Sequence, residues 1–402
     1  MRPSARWRRL PAQVLVLAIL CCVGCSTAAL HPDSRRVPRR VKLSDGREFL
    51  ELRGQIHIHS RHSHDSSGRL SDILAAGYET GCDYLFITDH NNLGARAWQR
   101  RFDDGPRPIE LLVGIEYSTR LGHLLDLFPV QRFEPKQAPQ DLLDLITHFG
   151  GLAIVAHPLD RPPWRDWRVG GLRGMEVHNV ASDVAEEGSR LIGRFLRVFL
   201  GRSDAVLANV NRPRRGLELH TSEQLRRDEP LLLISGSNAH GRDYLGRVNW
   251  DNYANAFALV ANYLWAASFD PAGIESALRA RHSFIGFDAL GDPAGFEFLY
   301  RQADRVWIFG DSVPAESGAG QFEVRAPGPA RISLFREAEL VLRTQGNHLI
   351  HTPDGAGFWR VELERQDGFL GDWKPWIISN VIRLESAAPS AAPAVASGGQ
   401  LP

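Results

Sequence analysis

The stretch Gln55-Ile56-His57-Ile58-His59-Ser60-Arg61-His62-Ser63-His64-Asp65 decides how this chain is read. On a strand, side chains two residues apart share a face, so His57 and His59 point one way while Ile56 and Ile58 pack against a covering layer. His57 and His59 then form a chelating pair. Taken alone, the pattern also describes a strand with two satisfied core histidines, since histidine is commonly half-buried. The rest of the chain favours the first reading, because its apolar runs keep ending on ligand-forming residues. The run 84–88 stops at Asp89-His90, the run 111–115 at Glu116, and the run 152–156 at His157-Pro158. Gly174-Met175-Glu176-Val177 stops at His178-Asn179, and 231–234 runs into Ser235-Gly236-Ser237-Asn238-Ala239-His240.

Strand and helix alternate along this part of the chain, which argues for an α/β fold with a largely parallel sheet. Many strands feed one rim, which favours closure into a barrel over an open sheet. In barrels of parallel strands the C-terminal rim carries the active site, because the loops after the strands converge there. Several histidines, a Glu and an Asp at one rim read as a polynuclear metal site. Nitrogen and oxygen donors without thiolate suit Zn, Mn or Fe.

His57-x-His59, Thr88-Asp89-His90, Gly114-Ile115-Glu116, Ala156-His157-Pro158, Glu176-Val177-His178 and Gly236-Ser237-Asn238-Ala239-His240 resemble, in order, the motifs of the PHP (polymerase and histidinol phosphatase) family. The likeness covers residues 50–290. It is nearest to the CehA/McbA-like metallohydrolase branch, whose C-terminal end Pro375-Trp376-Ile377-Ile378-Ser379-Asn380 resembles. The resemblance implies a distorted (β/α)7 barrel holding up to three divalent ions. His57, His59, Glu116 and Asn238 would surround one, Glu116 would bridge to a second held by His157 and His178, and Asp65, His90 and His240 would hold a third. Asp65, Glu116 and His240 would be catalytic. Asn238 stands where the family pattern has Asp, and Asp65 where some relatives carry His. His62 and His64 would lie near the mouth, and Asp89 would orient its neighbours.

The chain has 402 residues, 43% of them hydrophobic, enough for one large core and a smaller one. Forty-seven basic residues balance 47 acidic ones, so no global charge recruits nucleic acid. Arg2, Arg6, Arg8 and Arg9 precede a short apolar run, 14–23, that fits a signal-peptide core. It closes on Cys22-Val23-Gly24-Cys25-Ser26, which resembles a bacterial lipobox with Cys22 where Leu is usual. The expectation is a signal over 1–25 and a chain lipid-anchored at Cys25, facing the periplasm; an ordinary secretory signal or an uncleaved anchor is the alternative. Cys82 would be the one thiol of the mature chain, and a buried one.

An Arg/Pro-rich linker is expected over 26–48, the barrel over 49–290, a small β-sandwich over 291–385 and a disordered tail over 386–402. The spacing predicts a helix over 70–80, an Arg-rich helical segment over 95–102, one strand over 110–115 and a helix ending at Gly150. About 180–230 reads as an insertion, with a helical face over 192–200. In it, Arg212, Arg214 and Arg215 either hold an anionic group of the substrate or form a solvated turn. His348 and His351 read as surface residues in a turn.

Three functions follow. The first is a phosphoesterase acting on a small anionic mono- or diester through a metal-activated water. The second is a carbamate or carboxylic ester hydrolase. The third is a non-catalytic envelope binding protein with a degenerate site. There is no H-E-x-x-H helix, no Walker loop, and neither Ser63 nor Ser237 sits in a G-x-S-x-G elbow.

Overall fold

The computed structural model describes residues 37–181, 210–241, 252–315, 320–366 and 371–386. The segment around Cys25, the 192–200 face and the tail after 386 lie outside them. The described chain is mixed α/β.

Strand β1 (Arg39–Lys42) lies antiparallel to β2 (Glu48–Ile58), which carries the first two histidines. Helix α1 (Leu70–Glu79) leads to β3 (Tyr84–Ile87), and β4 (Arg100–Phe102) and β5 (Ile109–Val113) follow. β2, β3 and β5 pair in parallel. Where a helix was expected over 95–102, a 3-10 turn over Gly94–Trp98 gives way to β4. Phe102 is buried there, and Arg100, two residues away on the same strand face, lies over its ring at 4.5 Å.

The expected single strand over 110–115 is two strands. At Gly114 the chain leaves the first sheet for a second, and a Cβ there would lie 2.6 Å from the Asp126 carbonyl oxygen. The second sheet holds β6 (Ile115–Ser118), β7 (His123–Asp126), β8 (Ala153–Val155), β9 (Gly174–Asn179) and β10 (Leu232–Gly236), in the order β10-β9-β8-β7-β6. β8, β9 and β10 are parallel, and β7 is antiparallel to both neighbours. Helix α2 (Pro139–His148) precedes β8, and α3 (Arg214–Arg227) precedes β10. α3 shows that the end of the presumed insertion is a packed crossover. Its face of Leu217, His220, Thr221 and Gln224 is buried, and the arginines around it mask that face in the sequence.

The chain then returns to the first sheet through α4 (Tyr253–Leu259), β11 (Ala261–Ala266), α5 (Pro271–Arg279) and β12 (Ser283–Gly286). Beyond come β13 (Glu297–Gln302), β14 (Arg305–Ile308), β15 (Ser312–Val313), β16 (Gln321–Arg336), β17 (Glu339–His351), β18 (Gly357–Gln366), β19 (Trp373–Ser379) and β20 (Ile382–Leu384). These strands are continuous with the first sheet: β19 pairs with β12, and β12 with β11, which pairs with β2. His348 and His351 stand on β17, not in a turn; His348 is exposed and the His351 ring packs 5.8 Å from Trp359.

The two sheets meet where the histidines are. At one junction Ile58 bridges Ala239, with Asn238 N donating to His57 O at 2.7 Å and His59 N to Ala239 O at 3.0 Å. At the other His90 bridges Glu116, and Glu116 N donates to Asp89 O at 3.2 Å. The buried Asn380 side chain ties a third seam. It accepts from Leu233 N at 2.8 Å and donates to Leu233 O at 3.0 Å and Ser283 O at 2.9 Å.

Candidate metal centre

Glu116 is the hub of the site. It is 1% exposed, and five imidazole nitrogens from four segments reach its two oxygens. His57 Nε2, His59 Nε2 and His90 Nδ1 lie 3.1, 3.2 and 3.4 Å from Oε2. His123 Nδ1 and His157 Nε2 lie 2.7 and 3.0 Å from Oε1. A second carboxylate, Asp65, stands between His90 and His240, with both Nε2 atoms 3.3 Å from its Oδ2. The His59 ring joins the two halves, stacked on His240 at 4.5 Å and 4.8 Å from His90.

The strand that delivers His57 does not alternate simply. His57 has a positive φ of 67°, and the pairing of β2 with β3 shifts register between Gln55 and Ile58. Such an irregularity re-aims side chains. Ile56 therefore packs with Tyr84, Phe86 and Leu112, while Ile58 packs in the helix-facing cluster with Leu85 and Ile73. The expectation that both isoleucines face one covering layer fails here, yet the His57 and His59 rings still come within 5.1 Å.

A layer of supporting groups fixes the donors. Glu176 Oε1 lies 2.6 Å from His57 Nδ1, and Glu176 Oε2 accepts from His157 N at 2.8 Å and Asn179 Nδ2 at 2.9 Å. Ser63 Oγ lies 3.2 Å from His59 Nδ1 and donates to Asp65 Oδ1 at 2.7 Å. Asp89 accepts from Ser60 N at 2.6 Å and Ser60 Oγ at 2.7 Å, which anchors the loop after β2.

Charge at the site is sharply divided. Burial disfavours a charged His57, but Glu176 and Glu116 outweigh it and push its pKa up to about 10. Burial wins at His59, whose pKa falls to about 4, leaving a neutral ring. Burial also works against charge on Glu116 and Asp65. His57, His123 and His157 nevertheless hold Glu116 well below the usual carboxylate range, and His240, His90 and Ser63 do the same for Asp65. Burial pushes Asp89 up to about 6.

Of the residues expected from the sequence, His57, His59, Asp65, His90, Glu116, His157 and His240 converge. Asn238 joins them, with Oδ1 3.0 Å from His59 Nε2. His178 is buried nearby with Nδ1 2.8 Å from Ser235 Oγ and its ring edge-on to Phe287 at 5.0 Å. Arg212 is paired through two nitrogens with Glu362, and Arg214 pairs with Glu218. Arg215 is exposed. With His157 and His178 the three arginines line a cavity of about 300 Å³ beside the cluster. His64 is exposed, its ring 4.9 Å from His90, and the His62 ring rests 4.7 Å from Trp98.

Two site residues escape sequence reasoning. His123 begins the run 123–128 instead of ending one, and because β7 is antiparallel its first residue reaches the rim that other strands reach with their last. Glu176 shares a strand face with His178, a spacing visible in Glu176-Val177-His178, but it reads as strand interior.

Among the described residues, four groups have donor atoms close enough together to hold an ion: His57 with His59 and Glu116, His59 with Asp65 and His240, His64 with Asp65 and His90, and His90 with Glu116 and His123. All donors are imidazole nitrogens or carboxylate oxygens, the set that divalent first-row metals take. Five imidazoles around one buried carboxylate exceed what its negative charge pairs with, so the donor set fits metal ions.

No family model matches the chain. A curated protein of Methanocaldococcus jannaschii, described as uncharacterised, is 26% identical over 117 residues, 27% of this chain and 68% of that protein. A solved two-domain protein from Bacteroides vulgatus, described as containing a predicted PHP-like metal-dependent phosphoesterase, is 13% identical. That likeness covers 86% of this chain and 98% of that one at a TM-score of 0.42. Likenesses at this level assign no residue.

Proposed function

We propose that this chain is a metal-dependent hydrolase of the PHP type its motifs resemble, acting on a small phosphate mono- or diester. The convergence of five imidazoles on the buried Glu116 carries this reading. When bound, divalent ions supply Lewis-acid charge and make water acidic enough to attack at neutral pH. The chain's own residues prepare for them. Glu116 offers an oxygen on each side of the cluster, Asp65 sits between His90 and His240, and Glu176 sets the proton on His57 Nδ1 so that Nε2 is free to ligate. The ring of neighbours β2-β3-β6-β7-β8-β9-β10, closed by the bridges at Ile58 and His90, supports the distorted (β/α)7 barrel.

An anionic substrate suits a site with several divalent ions and few carboxylates. The cavity beside His157 carries Arg212, Arg214 and Arg215 on its wall, the first two already paired with Glu362 and Glu218, which leaves Arg215 to support the same preference. The test is a panel of aryl phosphate mono- and diesters beside aryl carbamates and carboxylic esters, each with Mn, Zn and Fe. Turnover of carbamates or carboxylic esters alone would move the chain to the second class. Metal content with no turnover of any ester would favour a binding protein.

The basic start, short apolar run and Gly24-Cys25 support export and lipid anchoring at Cys25, with the catalytic domain facing the periplasm. Among the described residues no helix is long and apolar enough to cross a membrane. Intact-mass analysis of the wild type and Cys25→Ala tests the anchor: an unchanged lipid mass and membrane fraction in the variant would refute it.

A further inference from the structure

We infer that the loops on one side of the histidine cluster form a basic docking surface for anionic phospholipid headgroups. The inference stands apart from the hydrolase reading and takes from the proposed anchor only the membrane it meets. Four segments build the surface: 91–98 after His90, 118–122 before His123, 129–137 before α2, and 159–168 after His157. Hydrogen bonds lace them together. Asn91 Nδ2 donates to Ser118 Oγ at 3.2 Å, and Asn91 Oδ1 accepts from Ser118 N at 2.9 Å. Arg96 Nη1 donates to Val130 O at 2.9 Å, Arg120 Nη2 to Lys136 O at 3.1 Å, and Arg132 Nε to Asn91 O. Arg165 N donates to Leu121 O at 3.0 Å, which joins the last segment to the rest.

The whole chain balances 47 basic against 47 acidic residues, but these segments carry seven basic residues against three acidic ones. Two of the acids are engaged: Asp166 pairs with Arg168 at 2.9 Å, and Asp160 lies 3.5 Å from His157 Nδ1. Glu134 alone is left to offset the other six cations. Arg96, Arg120 and Arg132 give their hydrogen bonds to backbone carbonyls, which fixes the side chains without cancelling their charge. Among the described residues the side chains of Lys136, Arg161 and Arg165 make no hydrogen bond or ion pair. All six are exposed, and Val130, 54% exposed, stands among them.

A surface of this charge attracts polyanions, and its relief selects among them. Proteins that grip single-stranded nucleic acid pair a basic groove with open aromatic faces on which bases stack. The tryptophans here are covered. Trp164 is 5% exposed, Trp98 packs against the Arg61 guanidinium at 5.5 Å and the His62 ring at 4.7 Å, and Trp167 is half-buried with its ring 6.2 Å from that of Trp164. A headgroup layer asks for exposed cations and for apolar side chains, such as Val130, that can enter it. The described chain begins at Val37, twelve residues on from Cys25. Fully extended, that length reaches about 40 Å, comparable with the width of a domain of this size, so an anchored chain can turn this side to the membrane.

The test uses the chain from Ser26 onward, which carries no lipid, with vesicles of pure phosphatidylcholine and of phosphatidylcholine containing about one-third phosphatidylglycerol. Cosedimentation should show binding to the anionic vesicles alone, weakening as added salt screens the charges. A basic side chain near an anionic surface contributes about fivefold to binding, so Lys136→Gln, Arg161→Gln and Arg165→Gln together should weaken it about 100-fold. Lys42→Gln, Arg305→Gln and Arg343→Gln together take the same charge from β1, β14 and β17 and should bind as the wild type does. Matching circular dichroism excludes misfolding. Absence of binding to anionic vesicles, wild-type binding indifferent to salt, a loss under about tenfold in the first variant, or equal losses in the two variants overturns the inference. Tighter binding to a single-stranded oligonucleotide than to the vesicles overturns the lipid assignment. Neither anchor nor metal enters the assay, so its failure is distinct from failure of the anchoring or hydrolase readings.

Discussion

Glu176→Gln is nearly isosteric, yet it should disable the first metal position through a single proton. Glu176 Oε2 accepts two hydrogen bonds, from His157 N at 2.8 Å and Asn179 Nδ2 at 2.9 Å, and the backbone donor cannot reverse. In the variant the amide oxygen must take that place. The amide NH2 then faces His57 Nδ1 across what was a 2.6 Å contact, and Nδ1 has to become an acceptor. The imidazole proton moves to Nε2, the atom aimed at Glu116 and needed as donor. Loss of an outer partner alone costs about 10–100-fold in metal affinity, and a wrong histidine tautomer has cost about 10⁴ in rate in a protease, so a loss of about 10²–10⁴-fold is expected.

The stripped protein offers a second reading of the same change. Against the cost of burial, the two carboxylates hold His57 at about 10 where 6.5 is ordinary, a net pH-linked stabilisation on the order of 5 kcal/mol. Because the folded pKa is raised, this contribution is complete below about 6.5 and fades as pH climbs through about 10. Glu176→Gln should therefore destabilise the metal-free protein at pH 6, and the difference from wild type should shrink toward pH 10. Denaturant unfolding in chelator measures this, and metal competition titration measures the first effect. Metal affinity within about threefold of wild type, with no pH-dependent loss of stability, would refute the tautomer argument.

Glu116→Ala should lose about two equivalents of metal by elemental analysis while remaining folded, since its oxygens face separate groups of imidazoles; loss of one or none argues against a bridge. Asn238→Asp restores a carboxylate beside His59 and should tighten binding at the His57/His59 position, with activity kept or raised; unchanged titration would remove Asn238 from the donor set. Burial pushes the Asp126 carboxyl from 3.8 up to about 6, so the folded chain holds this proton more tightly than the unfolded one. Its contribution to stability should fall by up to about 3 kcal/mol as pH rises from about 4 to about 6. Asp126→Asn should remove that slope in unfolding experiments run between pH 4 and 8, and a slope equal to wild type would show that the carboxyl titrates normally.

Most of the donors were legible because parallel strands present their last residue to the rim, so His90, His157 and the Asn238-Ala239-His240 turn announce themselves as the ends of apolar runs. That rule assumes strand direction, which no local pattern encodes. β7 runs the other way, and the end it brings to the rim is its first residue, His123. The Arg-rich turn was also readable only in part: its residue types suggest anion binding, but Arg212 is held by Glu362 on β18, a partner 150 residues away that no spacing within the turn predicts. The C-terminal strands were visible one by one as short β-like runs. Their continuity with the first sheet depends on β12 pairing with β19, and pairing across 90 residues leaves no mark on either strand.

Backbone strain at the centre follows from how the sheets join. His57, His157 and Asn238 all have positive φ, at 67°, 25° and 47°, a region that non-glycine residues enter at a cost. Each stands beside a fixed contact: Asn238 N on His57 O at one junction, and His157 N on the Glu176 carboxylate. The contacts that close the junctions are thus among those that hold these residues in their strained shapes. Asn suits position 238 because Asn and Asp tolerate this region better than most residues, so the exchange of Asp for Asn alters the charge offered to an ion while leaving the backbone able to present it. A donor set aimed by the scaffold itself should survive removal of metal, and this is why changes in single donors can be read as changes in ion binding instead of collapse of the site.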